Sequence, residues 1–318
     1  MRNAGRVQLD AVIFDLGGVV LGWEPERAFE QVMPAEEVAE FLRRIDFADW
    51  NRRNDGGRTF DEAEAELIAR FPEAEGVIHG YREHFAHTLS GMVPGTAAVI
   101  AELGQAGIAL SALTNWSGET FPIARERFGI LRRFSTILVS GDERLLKPDP
   151  AIFALACARE GLDPVRTVFV DDSPRNAAAA TEYGLTGLEF TDAERLRSDL
   201  VALGVLGPRV PVERPVFHWS VRDAWQEAEE AGVYPWSARG VGYDAEGFVH
   251  FSFAEQLEGT RTAHYADLSD DELVLLELDV AALDLPVVVE PGRGELFPHL
   301  FAPLPVADVV VHPADWRP

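Results

Sequence analysis

The sequence predicts an α/β chain: a doubly wound parallel sheet carrying a helical cap, followed by a smaller α+β region. Three observations lead there. Between residues 94 and 190, short apolar runs that end in polar residues alternate with helical segments, as in βα units of a parallel sheet. Residues 24 to 90 are charged and helical in pattern, with no strand signal. A proline-rich stretch, Gly207 to Pro215, then marks a linker, beyond which the rhythm changes.

The first strand is Ala11 to Phe14, apolar throughout and so buried on both faces. It ends in Asp15, and Gly17-Gly18 follow, where the backbone can turn sharply and approach a ligand. In the insert, Phe29, Val32, Val38, Phe41, Leu42 and Ile45 form an apolar helical face, and Thr59 to Glu62 reads as a helix start. The pattern then gives a helix from Thr96 to Gly107, a strand from Ile108 to Leu113 ending in Thr114-Asn115-Trp116, and a helix from Ile123 to Phe128. Ser135 to Val139 is extended, and Lys147-Pro148-Asp149-Pro150 opens a helix through Glu160. Thr167 to Val170 is a strand ending in Asp171-Asp172-Ser173-Pro174, followed by a helix to Tyr183 and a strand from Leu185 to Phe190. Past the linker, Val216 to Trp219 is extended, Ser220 caps a helix to Ala231, and Phe248 to Phe253, Leu273 to Asp279 and Val287 to Glu290 are strands. Phe297-Pro298-His299-Leu300 places an imidazole beside a rigid turn. The expected domains are 1–208, with the cap at about 22–91, a linker at 209–215, and 216–318.

At 318 residues, two cores are expected. A hydrophobic content of 47% with 10% aromatics describes a globular chain, and no apolar run is long enough to span a membrane. The amino terminus carries no signal-peptide pattern, and the single cysteine, Cys157, reads as core packing, so the expected location is the cytoplasm. The net charge of −25 argues against nucleic acid as a partner. Of the 28 basic residues all but Lys147 are arginine, which singles out a position needing a compact ammonium.

Open α/β sheets bind their substrates at the carboxyl ends of the strands. Four polar places collect there: Asp15, Thr114-Asn115, Lys147 and Asp171-Asp172. Three carboxylates at one edge repel each other unless a hard cation sits between them, and Mg²⁺ prefers oxygen ligands. With a lysine alongside, such a site suits a dianionic phosphoryl group that Asp15 attacks as nucleophile, while Thr114 and the Asn115 amide hold phosphoryl oxygens.

Residues 8–207 resemble the haloacid dehalogenase-like hydrolase superfamily, on four motifs in order: Phe-Asp-Leu-Gly-Gly-Val at 14–19, Leu-Thr-Asn at 113–115, Lys-Pro-Asp-Pro at 147–150 and Phe-Val-Asp-Asp-Ser-Pro-Arg-Asn at 169–176. The resemblance implies Asp15 as nucleophile, Thr114 and Lys147 as phosphoryl binders, Asp172 and the Gly17 carbonyl as metal ligands, and Asp171 as holder of a metal-bound water. It further implies a small cap that selects a small phosphorylated metabolite. One position departs from it. Most phosphatases of this family carry a second aspartate two residues after the nucleophile as general acid and base, and here Gly17 stands there. A general acid is worth roughly 10²–10⁴-fold, so the expectation is an enzyme that favours acidic leaving groups such as aryl phosphates. An αL backbone at Gly17 would disfavour a side chain there. The rival readings are a catalytically silent domain in a nucleotide-binding or regulatory protein, and a dehalogenase.

Residues 216–318 hold five of the eight histidines. Phe217-His218-Trp219, Gly247 to Ser252 and Gly294 to Leu300 stand out, giving His218, His250, Ser252, Glu295 and His299 as candidate site residues. This region resembles the DUF952 family, which is distantly similar to the ADP-ribosyltransferase fold. That resemblance implies NAD or an ADP-ribose derivative as ligand, with His218 on the nicotinamide ribose, Ser252 on the second site strand, and Glu295 orienting the ribose hydroxyl.

Overall fold

The computed structural model describes residues 8–209, 211–281, 283 and 286–318. The chain divides into two compact units. The first comprises the residues up to Thr96, Ala106–Arg127 and Leu131–Leu206, and the second Ala97–Gln105, Phe128–Ile130 and Gly207–Pro318.

In the first unit, β1 (Ala11–Phe14) is followed by β2 (Leu21–Trp23), then after the cap by β3 (Leu89–Met92), β4 (Ala109–Thr114), β5 (Ile137–Val139), β6 (Thr167–Asp171) and β7 (Thr186–Glu189). Five of these form one parallel sheet in the order β5-β4-β1-β6-β7. The central β1 is wholly buried, as its unbroken apolar run requires. From β1 the chain first adds strands on one side, then returns to add β6 and β7 on the other. That reversal leaves a crevice at the carboxyl ends of β1, β4 and β6. Helix Pro150–Glu160 packs Ile152, Phe153 and Ala156 with Phe169 and Leu113, and Cys157 is buried in the same cluster. A helix over Ala193–Leu203, which the pattern reading passed over, starts at Asp192, whose side chain accepts from the Arg195 amide.

β2 and β3 pair antiparallel and bracket the helical cap, a hairpin base that the reading of 24–90 as purely helical did not anticipate. The cap helices are Glu26–Phe29, Ala35–Ile45, Phe47–Asp55, Phe60–Arg70 and Glu75–Glu83. Thr59 and Glu62 close the expected capping box, typically worth about 1 kcal/mol. The apolar stripes converge on an aromatic core in which Tyr81 meets Phe29, Phe47, Trp50, Phe60 and Phe85 at centroid separations of 5.1 to 6.0 Å. Asp49 and Arg53 pair on the solvent side while Trp50 is buried and donates to the Ala63 carbonyl.

The second unit contains β8 (Val216–Val221), β9 (Val233–Tyr234), β10 (Trp236–Ala238), β11 (Val241–Gly242), β12 (Val249–His250), β13 (Leu273–Leu278), β14 (Val287–Gly292), β15 (Glu295–Leu300), β16 (Leu304–Pro305) and β17 (Val309–Pro313), with its longest helices at Arg222–Ala231 and Leu257–His264. One antiparallel sheet runs β17-β13-β8 and a second β12-β15-β14, and a single bridge between Phe217 and Ser252 joins them. Along β13, Val274, Leu276 and Leu278 feed one apolar cluster and Leu273 and Leu275 another, the period of two expected for a strand covered on both faces.

Two local expectations are corrected here. Ser220 is no helix cap, because β8 continues through Val221 and the Ser220 hydroxyl pairs with the Tyr234 hydroxyl at 2.9 Å. Phe297 to Leu300 is strand, not turn. Pro298 needs no amide partner there and its carbonyl accepts from Phe251, while the reversal falls at Arg293-Gly294, both at positive φ as a two-residue hairpin loop demands.

Candidate active site

The sheet brings Asp15, Thr114, Lys147, Asp171 and Asp172 to one place. Asp15 directly follows β1, and its amide donates to the Val170 carbonyl at 2.8 Å, which extends the register of β1 on β6. One carboxylate oxygen accepts from the Leu16 amide at 2.7 Å, and the other pairs with Lys147 Nζ at 2.8 Å. The same ammonium reaches Asp171 Oδ2 at 2.6 Å. Lys147 is held from behind by Asn115, whose side-chain amide donates to the Lys147 carbonyl at 3.1 Å and whose oxygen accepts from the Lys147 amide at 2.9 Å. Asn115 therefore uses its side chain to place the lysine, a task the motif alone did not reveal.

Asp171 is fully enclosed. Its second oxygen accepts from the Ser173 amide and from Asn176 Nδ2, each at 2.9 Å, so the carboxylate is completely satisfied within the chain. Asp172 is exposed at the cavity, beside Gly18. Gly18 has φ +74°, and a Cβ there would stand 2.4 Å from Asp172 Oδ2, so both conformation and space demand glycine. Gly17 differs: it is not at positive φ, and a Cβ would meet nothing within 4 Å. The αL conformation expected at Gly17 is thus found one residue later.

Oxygens of Asp15, Asp171 and Asp172 lie within 4.8 Å of one another. Three carboxylates face one ammonium, and Asp15 and Lys147 are 7% and 2% exposed. Burial pushes the Asp15 carboxyl up to about 7, against the pull of Lys147 and with the repulsion of Asp171. Asp172 is raised by burial and then by Asp171. Asp15 and Asp172 open on a cavity of about 260 Å³, with Asp171 enclosed behind them. Thr114 and Trp116 line its sheet side, and Trp23, Asn51, Asp55 and Tyr81 come from the cap side. Asp55 is a wall residue that sequence reading missed, since an acidic residue in a charged helix carries no signal of facing inward.

In the second unit, His218 is 4% exposed on β8. One ring nitrogen meets the His250 carbonyl at 2.6 Å and the other the Tyr234 hydroxyl at 3.0 Å, so both are taken up inside the chain. Burial lowers its pKa to about 4. Ser252 sits across from Phe217 and shares a hydrogen bond with the Thr260 hydroxyl at 2.9 Å. The His250 and His299 rings lie 4.9 Å apart, and His299 meets Glu290 at 2.9 Å. Glu295 is exposed and accepts from Gln256 Nε2. Among the described residues, the only group of three or more potential metal-ligating side chains is the carboxylate set of the first unit, and no helix is long and apolar enough to cross a membrane.

Several known proteins are similar to this chain. The model of the family described as DUF952, a protein of unknown function, matches residues 220–312. The N-acetylmuramic acid 6-phosphate phosphatase of Pseudomonas aeruginosa is 28% identical over 184 residues, covering 56% of this chain and 80% of that protein. Acyl-CoA dehydrogenase family member 10 of mouse is 29% identical over 233 residues, covering 67% of this chain, which spans only 21% of that protein's length. The (S)-2-haloacid dehalogenase 4A of Burkholderia cepacia is 26% identical over 138 residues, covering 43% of this chain and 57% of that protein. Among solved structures, a HAD family enzyme from Bacteroides thetaiotaomicron is similar at 19% identity and a TM-score of 0.49, covering 61% of this chain and 98% of that one. The haloacid dehalogenase-like hydrolase model matches residues 9–184, spanning all four motifs and the carboxylate–lysine centre they build, and the chain belongs to that family.

Proposed function

We propose that the first domain, 1–208 with its cap at about 22–91, is a Mg²⁺-dependent phosphomonoesterase for a small phosphorylated metabolite, joined through 209–215 to the domain at 216–318. The carrying observation is the clustering of three carboxylates around one buried ammonium at the floor of a cavity. An all-oxygen, carboxylate-rich donor set fits Mg²⁺. Asp15, Asp172 and the Gly17 carbonyl would hold the ion, with Asp171 behind them. When bound, it offsets the excess negative charge and draws in a dianionic phosphoryl group.

The chain's own residues do the rest. Lys147, fixed by the Asn115 fork, orients Asp15 and favours its ionised form against the effect of burial, and its charge favours the phosphoryl group in the transition state. Asp15 forms the new oxygen–phosphorus bond, giving an aspartyl-phosphate that water then hydrolyses. Thr114 donates to a phosphoryl oxygen. The cap's aromatic wall excludes bulk water.

A dehalogenase reading fits less well. Displacing halide from a 2-haloacid calls for no cation, whereas the clustering of Asp15, Asp171 and Asp172 provides the donor set for one. The similarity to N-acetylmuramic acid 6-phosphate phosphatase, over most of that protein's length, supports a phosphomonoester as substrate. The test is a phosphomonoester panel on the full chain with and without Mg²⁺, beside Asp15→Asn. Turnover that ignores chelation, or survives in the variant, overturns the reading.

For 216–318, binding of NAD or an ADP-ribose derivative has in its favour that Ser252 pairs with Phe217, the residue before His218. Against it stands the full satisfaction of His218 by its neighbours. Thermal-shift titration of the full chain with NAD and ADP-ribose decides between them.

A further inference from the structure

Gly17 leaves the usual position of the proton donor empty, and nothing else on β1 or its turn can fill it. The carboxyl across the cavity can. Asp55 ends the cap helix Phe47–Asp55 and lines the same cavity as Asp15, Thr114 and Asp172. Three contacts hold it. Its carbonyl accepts from Ser140 Oγ at 2.6 Å, its Oδ2 accepts from Asn51 Nδ2 at 3.0 Å, and the Ser117 backbone also hydrogen-bonds the carboxyl. Ser117 lies in the loop after β4, and Ser140 opens the short helix Ser140–Glu143 directly after β5. The cap residue is therefore registered against the sheet edge, which is what acid–base chemistry needs of a positioned group.

We propose that Asp55 is the general acid and base of this hydrolase, supplying from the cap the proton that Gly17 cannot. The proposal rests on the phosphomonoesterase reading and sharpens it, because an enzyme with its own proton donor has no need of an acidic leaving group. Its substrates are then esters of ordinary alcohols, such as sugar or polyol phosphates, and the preference for aryl phosphates expected from Gly17 alone is removed.

The protonation state supports the role. Lys147 pairs with Asp15 and Asp171, and at Asp55 its charge weighs less than the opposing charge of Asp15. Burial first, and the Asp15 charge as well, hold the Asp55 carboxyl well above the ordinary carboxylate range, with the Ser117 amide opposing them. In the first step, an Asp15 oxygen bonds to phosphorus and the phosphorus–oxygen bond to the alcohol breaks. The departing oxygen keeps the bonding pair and takes the Asp55 proton, leaving Asp55 as a carboxylate. In the second, that carboxylate takes a proton from water as the water oxygen bonds to phosphorus. The bond to Asp15 breaks, inorganic phosphate leaves, and both aspartates return to their starting states.

The experiment compares full-length wild type with Asp55→Asn on p-nitrophenyl phosphate and on a primary alkyl phosphate in saturating Mg²⁺. The asparagine is close to isosteric and keeps the contact with Asn51. For the variant, kcat/KM on the alkyl ester should fall by roughly 10²–10⁴-fold. On the aryl ester it should stay within about threefold, because nitrophenolate leaves without help and kcat/KM stops at phosphoryl transfer. Retained aryl turnover also shows that the variant is folded. Its second step, deprived of a base, should now limit kcat and reveal a burst of nitrophenol stoichiometric with enzyme. Adding Gly17→Asp, which has open space for a side chain, should return part of the alkyl activity. Losses in equal proportion on both esters, or no loss on either, overturn the proposal while leaving the phosphomonoesterase intact. A wild type that hydrolyses neither ester under any metal condition overturns both.

Discussion

In the first unit, Asp15, Asp171 and Asp172 gather near one ammonium and two of them, Asp15 and Asp172, open on a cavity, whereas in the second His218, His250 and His299 gather around one another, Tyr234 and Glu290. Both are clusters of polar groups in sequence contexts rich in apolar residues. They differ in what is left over. His218 has two nitrogens and two partners inside the chain, and Ser220 and Tyr234 complete the arrangement. Three carboxylates gather beside one lysine, so among these four groups negative charge is in excess. A buried polar group satisfied by its own fold contributes stability, while one left in deficit is set up for a ligand.

The largest effect should come from Asp15→Asn, which ought to reduce phosphatase turnover to background, a loss on the order of 10⁶-fold by comparison with removal of other covalent nucleophiles. Substantial residual turnover would move the nucleophile elsewhere. Lys147→Arg keeps the charge but widens the head group that has to fit between Asp15 and Asp171, and kcat/KM should drop by about 10²-fold. Steady-state kinetics on the same ester measures this, and near-normal rates would show that charge alone suffices.

The histidine cluster should answer to pH instead of substrate. His218 is depressed to about 4 in the folded chain, against 6.5 for a free imidazole. The unfolded chain therefore binds this proton more tightly, so the neutral ring's contribution is complete above pH 6.5 and is lost as pH falls toward 4. The loss corresponds to about 3 kcal/mol. Hydrogen exchange at the amides of β8 and β13 between pH 7 and 4 should show it, and His218→Gln should flatten the dependence. Protection that follows the same pH course in the variant would assign it to other groups.

Magnesium at a hundredfold excess over its Kd should raise the stability of the first unit by about 2.7 kcal/mol. Asp172→Asn should abolish that increment without lowering the metal-free melting temperature, since it removes one of the repelling carboxylates. Smallest of all is Glu295→Ala. This exposed residue should change stability by no more than about 0.5 kcal/mol, and a larger shift in a denaturant melt would mean that the Gln256 contact matters more than its exposure suggests.

The parallel sheet was legible because β1, β4 and β6 are largely apolar runs (Ser111 interrupting β4) that end at Asp15, Thr114 and Asp171, and burial on both faces leaves that signature. Lys147 declared itself as the chain's only lysine. Strand and helix ends in the second unit were less legible. Ser220 looks like a cap in any local window, and only the Tyr234 hydroxyl, brought by β9, decides that it lies in a strand. Phe297 to Leu300 reads as a turn because proline usually marks one, and pairing with β14 makes it a strand.

Local composition thus determined the order of the βα units, the four motif residues and the helical character of the cap, since each depends on near neighbours in the chain. Tertiary structure decided which side chains share a site. Asn115 holding the Lys147 backbone, Gly18 making room for Asp172, and Asp55 turned toward Asp15 all join residues far apart in sequence. No periodicity encodes such meetings, because they are set by how the sheet register and the cap bring separate segments together.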